Sequence, residues 1–172
     1  MRQFLLILVV ALIANKSFGQ PLDVFDIARK GTVEQVKEVL ITNPKAFDAV
    51  NGNGFTPLIL ACYRGNNEVA KLLIENGSPI NATTDMGSAL MACIVKGNDE
   101  MTKLLIERKA DLNITDNQGT TALMYAVQFK NIAVIKLLLA HNANENLIDK
   151  KGKTAFEYAT FSGNEEIINL LK

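Results

Sequence analysis

Apolar and polar positions in this chain recur in blocks of fixed length. Leu72–Leu73–Ile74, Leu104–Leu105–Ile106 and Leu137–Leu138–Leu139 are apolar triplets, and Leu170–Leu171–Lys172 closes the sequence in the same register. Successive triplets lie 32, 33 and 33 residues apart. Ala61, Cys93, Ala126 and Ala159 form a second series with the same steps, all of them small. Gly54, Gly87, Gly119 and Gly152 form a third, each followed by a polar cap and an apolar start: Phe55–Thr56–Pro57–Leu58, Ser88–Ala89–Leu90, Thr120–Thr121–Ala122–Leu123 and Lys153–Thr154–Ala155–Phe156. A fourth series is Gly65–Asn66, Gly97–Asn98, Lys130–Asn131 and Gly163–Asn164.

Each block therefore predicts a turn, a short helix, a tight turn, a second helix and a stop. Thr or Ser before the first helix caps its free N–H groups, and Pro57 falls where the first helical turn tolerates it. Gly77 and Asn142 stand where the second helix must end in a left-handed conformation. Small residues at the Ala61 and Cys93 positions let neighbouring helices approach closely. A unit this short cannot bury its apolar face alone, so consecutive units must stack into one core.

The motifs resemble the ankyrin repeat, whose pattern is roughly D-x-x-G-x-T-P-L-H-x-A-A-x-x-G, then L-L-L and G-A-D-V-N. The resemblance is carried by Asn53–Gly54–Phe55–Thr56–Pro57–Leu58, by Asp116–Asn117–Gln118–Gly119–Thr120–Thr121–Ala122–Leu123, and by Lys109–Ala110–Asp111–Leu112–Asn113. It covers Leu22 to Lys172 and implies an all-α solenoid of stacked helix-turn-helix units joined by β-hairpin-like turns. Four full units are expected at about 51–83, 84–115, 116–148 and 149–172. A degenerate N-terminal cap at about 22–50 is carried by Asp26–Ile27–Ala28–Arg29–Lys30–Gly31 and by Val36, Val39 and Leu40. Three departures stand out. The turn Thr83–Thr84–Asp85–Met86–Gly87 is one residue short, which predicts a displaced tip. Lys130 replaces the glycine between helices, at a cost of about 1 kcal/mol in a left-handed conformation. The family's histidine after the leucine is replaced by Ile59, Met91, Met124 and Glu157.

Ahead of the repeats, Met1–Arg2–Gln3 precedes an unbroken run of eleven apolar residues from Phe4 to Ala14. Eleven helical residues rise about 16 Å, too little for a hydrocarbon core of about 30 Å. With Ser17 and Gly19 at the −3 and −1 positions of a cut before Gln20, residues 1–19 read as a secretory signal peptide; the alternative is a buried N-terminal helix. The expected product is a single domain, residues 20–172, in the bacterial periplasm or outside the cell, a monomer when unbound and without stable membrane insertion. The chain balances 18 Lys+Arg against 18 Asp+Glu. Arg2 and Lys16 fall in the leader, so 16 cations face 18 anions downstream, a net of −2. That argues against general binding to nucleic acid.

One histidine, two cysteines and no tryptophan leave little for chemistry. His141 closes a second helix, where a basic group meets the negative end of the dipole, and no Ser or Cys pairs with it as nucleophile and base. Cys62 and Cys93 fall on first helices of adjacent units, whose axes lie about 8–10 Å apart. A disulfide needs Cα atoms within about 7 Å, so both are expected as buried free thiols. No glycine belongs to a phosphate-binding loop. Asn81–Ala82–Thr83 and Asn113–Ile114–Thr115 match glycosylation acceptors, but the repeat explains both asparagines as turn residues. No enzyme activity, cofactor or metal is expected.

Binding is the better-supported use. The resemblance places hairpin tips and first-helix ends along a concave face, where residue identity is free of the repeat. Candidate partner-binding residues are Asn53, Phe55, Asp85, Met86 and Lys153 at the tips, and Tyr63, Arg64, Val95, Lys96, Gln128, Phe129 and Phe161 at the helix ends. Aromatic residues and Arg dominate interface energetics, and a ladder of them across successive units marks a patch. The alternative is that some fold back into the core, Phe129 above all. Arg29, Lys30, Arg64, Lys96, Lys150, Lys151 and Lys153 lie on this side, whereas Glu68, Glu75, Asp99, Glu100, Glu107, Glu165 and Glu166 belong to second helices or the turns before them. A basic concave side with an acidic back follows, or a mixed solvated surface. The resemblance implies a non-enzymatic protein-binding module; among exported bacterial members it implies occlusion of a secreted cell-wall hydrolase as self-protection. A scaffold that supports its enzyme, or an effector acting on a host protein, are the other readings.

Overall fold

The computed structural model describes residues 23–172. The signal-peptide reading of residues 1–19 lies outside them. Among the described residues ten α-helices form five helix-turn-helix units: α1 (Val24–Lys30) and α2 (Val33–Thr42); α3 (Pro57–Arg64) and α4 (Asn67–Glu75); α5 (Ala89–Val95) and α6 (Asp99–Glu107); α7 (Ala122–Gln128) and α8 (Ile132–Ala140); α9 (Ala155–Ser162) and α10 (Glu165–Leu170). A short 3-10 turn, Ala46–Asp48, follows the first unit and buries Phe47. First helices pack in the order α1–α3–α5–α7–α9 and second helices in the order α2–α4–α6–α8–α10, with α4 and α6 joined by the Lys71–Glu100 ion pair. Each unit thus rests on its sequence neighbours, and the core is one continuous strip.

The caps explain where the first helices begin. Thr56, Ser88, Thr121 and Thr154 accept hydrogen bonds from the amides of Ile59, Met91, Met124 and Glu157. Asn98, Asn131 and Asn164 do the same for the second helices, accepting from Met101, Val134 and Ile167 at 3.1–3.2 Å. Asn66 departs from this. Its Nδ2 donates to the carbonyls of Ala28 (3.3 Å) and Gly31 (3.0 Å), tying the second unit to the first. The small residues Ala61, Cys93, Ala126 and Ala159 are fully buried between first helices, and Leu73, Leu105 and Leu138 are fully buried beneath second helices. Truncating one of these leucines to Ala removes packing worth about 2–5 kcal/mol.

The turn between helices is left-handed in each of the last four units. Gly65, Gly97 and Gly163 adopt φ of 73°, 66° and 66°, and Lys130 adopts 56° in the same place. Lys130 is held there by two backbone bonds, Lys130 N to Val127 O and Asn131 N to Ala126 O, both 2.9 Å. Asn142 ends α8 at φ 63°. Lys109 ends α6 at φ 64°, a second strained lysine that the sequence motif conceals.

The short turn of the third unit makes the one regular strand pair among the described residues, β1 (Thr83–Thr84) against β2 (Gly87–Ser88). Thr84 Oγ1 accepts from Met86 N at 2.9 Å, replacing the side-chain acceptor used at longer tips. The carbonyl of Asp85 still reaches the next unit, accepting from Asn117 N at 2.9 Å. The Gln118 carbonyl, one position nearer its tip glycine than Asp85 is, accepts from Lys150 N at 2.8 Å, so the third tip is offset by one residue yet the third, fourth and fifth tips share one hydrogen-bonded edge.

Candidate protein-binding face

The tips are built by one side-chain device. Asn51 Oδ1 accepts from Asn53 N and Phe55 N, both at 3.0 Å. Asp116 Oδ1 accepts from Gln118 N and Thr120 N at 2.8 Å, and Asp149 Oδ1 from Lys151 N and Lys153 N at 2.8 and 2.9 Å. In the last two units the second carboxylate oxygen accepts from a tyrosine on the first helix: Tyr125 Oη to Asp116 Oδ2 at 2.6 Å, and Tyr158 Oη to Asp149 Oδ2. These bonds clamp tip to helix, which fixes the width of the face between them. Burial, then the Asp116 bond, pushes the Tyr125 phenol up to about 12. For Tyr158 the Asp149 bond leads and burial follows, again to about 12. Burial opposes charge on Asp149, but bonds from Tyr158, Lys153 and Lys151 together hold its carboxyl below the usual range.

Between tips and first helices of the second to fourth units lies a groove of about 540 Å³. Its floor is Ile59, Leu60, Met91 and Ala92, and its walls include Phe55, Met86, Val95, Tyr125 and Phe129. Arg29 and Arg64 stand at one end, and Asp85, Asn117 and Gln118 along the tips. Phe129 stays out of the core: it is 54% exposed and stacks on Tyr125, with ring centroids 6.5 Å apart. Met86 is 64% exposed. Such apolar area, about 25 cal/mol per Å² when removed from water, favours a partner that covers it.

Of the residues expected at the face, Phe55, Tyr63, Arg64, Asp85, Met86, Val95 and Phe129 line this one groove. Lys96 lies just outside, its ammonium 4.1 Å from the Tyr63 ring centroid. Asn53 and Gln128 are exposed but do not line it. Lys153 and Phe161 belong to the last unit, beyond the groove, with Lys153 Nζ 5.2 Å from the Phe161 ring centroid and 5.5 Å from that of Tyr158. The twelve positions are therefore a groove with a separate terminal cluster, not one uninterrupted patch. The floor residues and Tyr125 were not among them. Ile59 and Met91 fall at the position where the family carries histidine, the one signal that pointed to the floor.

On the back of the second helices the acids are paired in part. Lys71 pairs with Glu68 (3.1 Å) and Glu100 (2.7 Å), Lys103 with Glu107 (3.9 Å), and Lys136 with Glu166 (3.1 Å). Lysines one turn away along the helix, or on the next unit, pair with these four acids, whereas Glu75, Asp99 and Glu165 stand in no ion pair among the described residues, so the surface interleaves both signs and keeps an acidic excess. Hydrogen bonds to Glu100 and Glu68 raise the Lys71 pKa, and the bond to Lys71 lowers that of Glu100. Cys62 and Cys93 are free and fully buried. A hydrogen bond with Cys62, then burial, drives the Cys93 thiol far up, which keeps it protonated. Among the described residues no cluster of three His, Cys, Asp or Glu side chains could hold a metal ion, and no helix is long and apolar enough to cross a membrane.

A family model described as ankyrin repeats (3 copies) matches residues 24–116 and again 90–172. Human ankyrin repeat and SAM domain-containing protein 3 is 33% identical over 72 residues, which is 42% of this chain and 11% of that protein. Ankyrin repeat and SAM domain-containing protein 6 of Rattus norvegicus is 36% identical over 59 residues, covering 34% and 7%. The acyl-CoA-binding domain-containing protein 6 homolog of Dictyostelium discoideum is 46% identical over 48 residues, covering 28% and 17%. The chain spans less than a fifth of the length of these relatives. Repeated caps, small-residue seams, left-handed turns and two overlapping family matches make this chain a member of the ankyrin-repeat family, whose repeats serve as protein–protein interaction modules.

Proposed function

We propose that this chain seats a projecting apolar loop of a protein partner in the groove, and that the partner is an exported enzyme whose active-site cleft it covers. The observation that carries the binding reading is the groove itself. Its volume of about 540 Å³ falls within the ~300–1,000 Å³ typical of pockets that bury a ligand. Its exposed Phe129 and Met86 stand on elements already fixed by caps and tip bonds, so little ordering entropy is lost on docking. Export is supported by the leader-like residues 1–19 of the sequence, and envelope placement follows if the source is bacterial. A cell-wall hydrolase is the enzyme class that an envelope protein of this kind has most reason to restrain.

Envelope extract from the source organism provides the test. The chain from Gln20 onward is used as bait beside a Tyr63→Ala, Met86→Ala, Phe129→Ala variant whose helical circular dichroism matches the parent. Capture of a hydrolase by the parent alone, with loss of its activity on mixing, is the expected result. Equal capture by both baits would remove the groove as the binding site. A captured enzyme that stays fully active would replace occlusion with a scaffold role.

A further inference from the structure

We infer that the segment bound by this face is bipartite: an apolar anchor for the groove, and a run of carboxylates for the lysine tip of the last unit. This rests on the groove reading and adds the chemistry of the partner. The turn Asp149–Lys150–Lys151–Gly152–Lys153 places three ammonium groups on one hairpin. Among the described residues none of the three stands in an ion pair, whereas Lys71, Lys103 and Lys136 on the second helices all do.

The nearby carboxylates are already engaged. Asp149 Oδ1 accepts from two backbone amides, and its Oδ2 accepts from Tyr158. Glu157 Oε2 accepts from the amide of Thr154 at 2.6 Å and from its hydroxyl, closing the cap of α9. Those bonds hold both carboxylates ionised and in place, and Lys150, Lys151 and Lys153 outnumber them, so the tip carries a net positive charge. Beside it Phe161 is 86% exposed, its ring beneath the Lys153 ammonium. An incoming carboxylate could meet Lys153 while its own aliphatic stem covers that ring.

Separation between the two sites is fixed. Asn117 and Gln118 line the groove, and the Gln118 carbonyl is bonded to Lys150 N, so the lysine tip is one unit further along a rigid edge. One helix-packing step is about 8–10 Å, which an extended chain covers in about three residues. Acidic residues are thus expected about three to six positions from the anchor. A polyanion such as nucleic acid fits poorly, because the same path carries Asp85 at the groove wall and the chain downstream of the leader has a net charge of −2. Charge complementarity of this kind sets orientation and on-rate as well as affinity.

A random twelve-residue peptide library selected on the intact chain tests this. Enrichment of sequences with an apolar or aromatic anchor and acidic residues three to six positions away is the expected result. Lys150→Gln with Lys151→Gln should lose about tenfold affinity for those peptides, flatten their salt dependence, and keep the apolar preference. Adding Lys153→Gln should deepen the loss, and both variants are compared with the parent by unfolding midpoint. Anchored peptides without acidic bias would overturn the bipartite partner and leave the groove standing. Selection with no apolar anchor would overturn both. Equal, lysine-dependent binding of a thymidine oligonucleotide would overturn the assignment to a protein segment.

Discussion

Lys130 holds a left-handed backbone in a place where three sister units use glycine, and relieving it should stabilise the protein. At φ 56° an L-residue costs about 1–2 kcal/mol from the contact of its Cβ with the following carbonyl. Glycine removes that contact but gains freedom in the unfolded chain, which returns about 0.4–1 kcal/mol. The net expectation for Lys130→Gly is a gain of about 0.5–1 kcal/mol. Nothing offsets it, because the exposed Lys130 side chain makes no hydrogen bond or ion pair among the described residues. In urea, with a slope of about 2 kcal/mol per M, the midpoint should rise by about 0.25–0.5 M at unchanged slope. The mirror change is Gly97→Ala, at φ 66° with no atom within 4 Å of the added Cβ; there only the backbone term acts, and a similar loss is expected. Lys109→Gly should behave like Lys130→Gly, and the two should add because they lie in different turns. A lower midpoint for Lys130→Gly would mean that the turn carries no strain.

Other outcomes follow from single contacts. Gly31→Ala should destabilise by about 1–3 kcal/mol, read as a fall in thermal midpoint, because the new Cβ would lie 2.7 Å from the Ile27 backbone. Tyr125 and Tyr158 are held at about 12 against an ordinary 10.0. Their folded values are raised, so the two clamps contribute fully below pH 10 and are lost as pH rises through about 12. The gap in unfolding midpoint between the parent and Tyr125→Phe should therefore be constant up to pH 9.5 or so and close by about pH 12. An aromatic disulfide reagent at pH 8 should modify neither buried thiol in the native protein and both after denaturation, since the fold denies the reagent access to both sulfurs.

The repeat is legible in the sequence because its physics is local or strictly periodic. A capping Thr, a small residue at a seam and a left-handed turn each leave a mark at a fixed offset, and Thr56, Ala126 and Asn142 sit where those marks put them. Helix-end residues such as Tyr63 and Phe129 could be picked out because the repeat leaves them free, and an aromatic there has no packing duty. The floor of the groove was hidden for the opposite reason. Met91 and Ala92 obey the apolar pattern, and only three-dimensional stacking reveals that the cleft between tips and helices opens above them. Tyr125 was hidden because its partner Asp116 lies nine residues away across a turn, an offset that no helix or strand period produces. The acids of the second helices read as one face, and only the folded stack shows that Lys71 and Lys136 reach across to acids of the next unit. Deleting a residue from the third tip looks like damage in a linear alignment, yet Thr84 supplies the missing acceptor.

The hydrogen-bonded edge joining the third, fourth and fifth tips has a mechanical consequence. Among the described residues no backbone bond carries that edge back to the second tip, where Asn51 holds Phe55 on its own. Three tips are therefore tied to one another, and the second stands beside them without that bond. A partner entering the groove meets a fixed jaw on one side and a compliant jaw at Phe55. Adjustment to different occupants is confined to that seam, while the distance from the groove to the lysine tip stays as rigid as a ruler.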